Sequence, residues 1–121
     1  MSVRTTLLLS VLLAVLGGGP VLAHARLIRA LPRVGATIRG SPQELRLSFS
    51  ETIEPRRSSV TLRGLGGAAP TGPLALDAND ARVVRVPLRE RLPPGNYRVD
   101  WSVTSRDTHH TFGDFTFSIA P

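Results

Sequence analysis

The chain of 121 residues has no cysteine. No disulfide can therefore brace the fold, and no thiolate can hold a metal ion. It has no lysine either: every basic residue is arginine. Its only methionine is Met1, so a thioether site for a soft ion is also excluded once that end is lost. Aromatic residues are sparse, four Phe, one Trp and one Tyr. The formal charge is +6, yet the arginines never run longer than two together, and few rings are available to stack on bases. That combination argues against nucleic-acid binding and for a solvated basic surface. No segment shows a sustained helical stripe.

One long apolar run is present, "LLLSVLLAVL" from Leu7 to Leu16, with Arg4 ahead of it. It is too short to cross about 30 Å of hydrocarbon as a helix. Three glycines, Pro20 and Val21-Leu22-Ala23 follow. Basic start, apolar centre and small residues at the end form a secretory leader, with cleavage expected after Ala23. The expected organisation is a signal peptide over 1–23 and one modest domain over 24–121, outside the cytoplasm.

Beyond the leader the apolar pattern has period two. "ELRLSFS" places Leu45, Leu47 and Phe49 on one face, and "SSVTLRG" alternates through Val60 and Leu62. "ARVVRVPL", "NYRVDWSV" and "DFTFSI" repeat the pattern, and "ARLIRAL" is a weaker first strand. Such runs are strands with one side on a core. Turn signals separate them at Pro32 and Gly35, Gly40-Ser41-Pro42 and Pro93-Pro94-Gly95. The fold class expected is all-β, a small antiparallel Greek-key barrel or sandwich. The Gly- and Ala-rich stretch from Gly64 to Asp80 reads as a long loop.

Candidate metal ligands are few. Two of the three histidines stand in "SRDTHHTFGDF". In extended chain, Asp107 and His109 point to one side while His110 points to the other. The third, His24, becomes the first residue if the leader is cut after Ala23. Its α-amine and Nδ1 can then chelate one ion, and the amine titrates near neutrality. With Asp107 and His109 the set is three nitrogens and one oxygen, which suits Cu(II) in a tetragonal arrangement better than tetrahedral Zn(II).

The segments "HARL", "LRLSFSETIEP" and "LPPGNYRVDWSVTSRDTHHTFGDFTFSI" resemble the CopC family of periplasmic copper-binding proteins. The most specific elements are the histidine after the leader and the run Trp101, Val103, Ser105, Asp107, His109. The resemblance implies a cupredoxin-like, Ig-like β domain in the periplasm that binds Cu(II) through His24 (amine and ring), Asp107 and His109. It places Glu51 of the "FSE" segment near the ion, as an outer ligand or a partner of the amine. It implies a carrier or buffer in copper resistance rather than an enzyme, read as a monomer. The implied partner is a membrane copper-transport protein of the CopD type, expected as a separate chain. Two departures stand out: no Met-rich loop is present, and His110 stands where the family often has proline. Two other readings remain open: a histidine-brace copper monooxygenase, and a metal-free exported Ig-like interaction module.

Overall fold

The computed structural model describes residues 24–121; the expected leader and its cleavage point lie outside the described residues. Two β-sheets face each other. The first has strand order β1 (Leu27–Leu31), β3 (Glu44–Phe49), β7 (Val83–Pro87) and β6 (Ala75–Leu76). The second has the order β2 (Thr37–Arg39), β9 (His110–Ala120), β8 (Gly95–Thr104), β4 (Ser59–Gly64) and β5 (Gly67–Ala69). The sheets are not joined edge to edge, so the architecture is a sandwich rather than a closed barrel. The one helical element among the described residues is a 3-10 turn at Pro55–Arg57.

The period-two pattern explains the layers. Leu45, Leu47 and Phe49 of β3 with Val84 and Val86 of β7 line one inner face. Val60 and Leu62 of β4, Val99, Trp101 and Val103 of β8, and Phe115, Phe117 and Ile119 of β9 line the other. All are buried, and each such side chain contributes about 1.5–3 kcal/mol relative to exposure. Phe49 meets Trp101 edge to face at 5.2 Å, and Tyr97 stacks on Phe117 at 5.4 Å. Trp101 lies so close to the opposite strand that a Cβ on Gly113 would sit 2.5 Å from its ring. That contact requires glycine.

Three elements differ from the expectation. The Gly64–Asp80 stretch is not one loop: Gly64 pairs with Gly67 across Leu65-Gly66 to form the β4–β5 hairpin, and Ala75–Leu76 pairs with β7. Gly67, at φ 103°, supplies the left-handed backbone of that turn. Small residues leave no alternating signature, because backbone hydrogen bonds alone carry the pairing. β2 lies parallel to β9, so the sheets are not wholly antiparallel. β9 also begins at His110, four residues before its hydrophobic alternation, because exposed Phe112 breaks the pattern there.

Candidate metal centre

The segment before β1 is fixed by backbone and hydroxyl contacts. Ala25 is buried, and its carbonyl accepts a hydrogen bond from Thr111 Oγ1 at 2.9 Å. The Arg26 N–H donates to Ser50 Oγ at 2.9 Å, and the Ser50 N–H donates back to the Arg26 carbonyl at 2.9 Å. Ser50 Oγ also lies 3.4 Å from the His24 carbonyl, as donor. His24 is thus held at one end of the sandwich, with its side chain exposed.

The second part of the site is the connection between β8 and β9. Their ladder ends at the pair Thr104 and His110. Within the connection the Ser105 N–H donates to the His109 carbonyl at 2.9 Å, and the Thr108 N–H donates to the Ser105 carbonyl at 2.9 Å. Thr108 has φ 72°, an uncommon conformation for a β-branched residue. Asp107 and His109 therefore meet across a turn, not along an extended strand as spacing alone suggested. Strand alternation fails here because the ladder stops at Thr104, one residue short of Ser105.

This turn puts His109 Nδ1 3.3 Å from Asp107 Oδ2. The contact is ion-pair proximity rather than a hydrogen bond, and Nδ1 is buried with no hydrogen-bond partner. Ser105, itself buried, donates its hydroxyl to Asp107 Oδ1, and the His109 N–H lies 3.4 Å from the same oxygen. The Ser105 hydroxyl holds the Asp107 carboxyl below its ordinary range; the backbone and imidazole of His109 add to this, and desolvation opposes it. The carboxylate is thereby kept ionised, the form a metal needs.

The His24 and His109 rings meet edge to face, 5.0 Å between centroids. His109 thus stands between His24 and Asp107. The three side chains form a row: among the described residues no three His, Asp or Glu groups are already gathered around one point. The buried, unpartnered Nδ1 beside a carboxylate is nevertheless a donor in want of a partner. The donors are imidazole nitrogens and a carboxylate oxygen, which fit copper or zinc.

The loop after β3 connects the two parts. Ile53 bridges to Ser105, and the Arg106 N–H donates to the Thr52 carbonyl at 2.9 Å. Glu51 lies on this loop, half-buried, between Ser50 and Thr52. Among the described residues its carboxylate makes no hydrogen bond or ion pair. His110 is turned to the outer face of the second sheet. Its Nε2 is 2.8 Å from Ser102 Oγ and its Nδ1 is 3.0 Å from Thr104 Oγ1. Both ring nitrogens are thus engaged away from His24 and Asp107. Ser50 and Thr111 were not singled out from the sequence, and Ser105 stood out only as a member of the run Trp101 to His109, with no role assigned to it: a hydroxyl on a strand or at its end looks the same whether it clamps a neighbour or faces water.

The family model of the CopC domain matches residues 27–120. The chain belongs to the CopC family. Protein YobA of Escherichia coli (strain K12) is 38% identical over 100 residues, 82% of this chain and 81% of that protein. Copper resistance protein C of Escherichia coli is 32% identical over 120 residues, 88% of this chain and 94% of that one. Among solved structures, PcoC, a methionine-rich copper resistance protein from Escherichia coli, superposes with a TM-score of 0.72 at 31% identity, covering 80% of this chain and 99% of that one. CopC from Methylosinus trichosporium OB3b gives 0.74 at 28% identity, covering 81% and 95%. This membership agrees with copper binding and with a copper-resistance protein rather than an enzyme. PcoC is described as methionine-rich; this CopC-family chain has Met1 alone.

Proposed function

We propose that this protein is a periplasmic Cu(II) carrier or buffer, matured by cleavage after Ala23. His24 gives its new α-amine and its ring, His109 its imidazole and Asp107 its carboxylate. Glu51 stands by as an outer ligand or as a partner of the amine. The observation that carries this reading is the row His24, His109, Asp107, with the rings 5.0 Å apart and a buried, unpartnered Nδ1 in the middle.

The donor chemistry supports the oxidation state. Nitrogen and carboxylate donors favour Cu(II), and the domain from His24 onward has neither cysteine nor methionine for Cu(I). Reduction of the ion would weaken its hold and so permit release. A membrane copper-transport protein of the CopD type is the partner this reading supplies, with the domain acting as a monomer.

The test is electron paramagnetic resonance of the Cu(II)-loaded, exported protein, after its N-terminus has been sequenced. The expected spectrum shows nitrogen donors that change when one residue is added ahead of His24, with a loss of affinity by orders of magnitude. An unchanged spectrum and affinity in the extended protein would rule out amine ligation. Glycan oxidation by the copper-loaded, reduced protein would favour the histidine-brace enzyme instead.

A further inference from the structure

The new amine can serve as a ligand only if the first residues are held still. A free chain end samples many conformations, and ordering it on metal binding costs roughly 1–2 kcal/mol per residue fixed. Here the ordering is already present in the protein. Ala25 is buried, its carbonyl bound by Thr111 Oγ1; Arg26 exchanges two hydrogen bonds with Ser50; the His24 carbonyl faces Ser50 Oγ. Ser50 directly follows β3, an inner strand of the first sheet, and Thr111 lies on the inward row of β9, two residues ahead of Gly113. One hydroxyl from each sheet therefore grips the same three-residue segment.

Every anchored atom of that segment is backbone. The grip does not depend on the His24 side chain, and neither hydroxyl is committed to the donor set itself. We propose that Ser50 and Thr111 are positioning residues that fix residues 24–26 and so preset the amine and ring of His24 for the ion; this rests on the Cu(II) reading above. Ala25 is part of the device: its small side chain lets the segment sink between the sheets.

The two ideas are tested separately. The clamp is read without copper, by hydrogen exchange of the Arg26 amide. It should exchange slowly in the parent protein, where it is bonded to Ser50 Oγ, and faster in Ser50→Ala. Its consequence is read by competition titration of Cu(II) against a chelating dye. Thr111→Val and Ser50→Ala should each lose about ten- to a hundredfold in affinity, the scale found when groups that orient metal ligands are removed. Thr111→Ser, which keeps the donor, should restore it. His24→Ala should abolish tight binding yet leave the Arg26 amide protected. If Thr111→Val folds poorly, Ser50→Ala and Thr111→Ser still decide the matter. Parent-like affinity and spectrum in Ser50→Ala, with the amide freed, would overturn the positioning role while leaving the Cu(II) reading intact. A parent protein that shows no amine ligation would sink both.

Discussion

Thr111 Oγ1 reaches the carbonyl of Ala25, 86 positions earlier in the chain, with a 2.9 Å hydrogen bond. The bond ties the start of the described chain to the last strand of the opposite sheet. Through it, the residue after a candidate ligand is fixed by the same hairpin that carries the other two candidates.

The neighbouring histidines should separate cleanly on substitution. His109→Ala is expected to lose Cu(II) affinity by orders of magnitude. His110→Ala should retain affinity, since its ring bonds to Ser102 and Thr104. Losing those bonds should lower stability by about 1 kcal/mol, the net scale for such interactions. Titration and urea denaturation of both variants check the pair; weak copper binding in His110→Ala would move it into the donor set.

Thr108 stands in left-handed backbone between two candidate ligands. Thr108→Gly removes a backbone cost of roughly 1–3 kcal/mol, offset by up to about 1 kcal/mol of added freedom in the unfolded chain. The expected result is a higher melting temperature with the Cu(II) spectrum retained. A lower melting temperature would show that the threonine side chain contributes something its backbone does not reveal.

Gly113→Ala should destabilise by about 1–3 kcal/mol, the usual range for overpacking, because its Cβ would fall 2.5 Å from Trp101. The same variant should shift the fluorescence of the chain's single tryptophan. Calorimetry and emission spectra on one sample check both.

Tyr97 donates its hydroxyl to the Pro93 carbonyl and pins the Pro93-Pro94-Gly95 turn. Tyr97→Phe is expected to cost about 1 kcal/mol. Burial pushes the Tyr97 hydroxyl above its ordinary value. The folded state therefore holds this proton longer than the unfolded one. The resulting stability is complete below about pH 10, the value of the free phenol. It falls as pH rises from there through the folded value. The chain has one tyrosine, no cysteine and no lysine, so few other side chains titrate in that window. Denaturation curves from pH 9 to 11 should slope in the parent and lie flatter in Tyr97→Phe.

The sequence made the larger strands legible because burial of alternate residues writes itself into β3, β4, β7, β8 and β9. It concealed β2, β5 and β6, which are held by backbone pairing of small or polar residues such as Gly67, Ala68 and Thr37. Asp107 and His109 were legible as neighbours, but the reason was a turn at Thr108 rather than strand geometry. Ser50 and Thr111 carried no signal, because their partners are backbone atoms whose position only the folded chain defines.

His24 precedes the first sheet, whereas Asp107 and His109 sit on a hairpin of the second. An ion held by all three would be a cross-link between the two layers, reversible and closing most of the chain into one loop. A domain with no cysteine would thus gain, on loading, what a disulfide gives other small domains. A free Cu(II) concentration one hundred times the dissociation constant would add about 2.7 kcal/mol to its stability, and the empty and loaded proteins should differ in how readily their layers part.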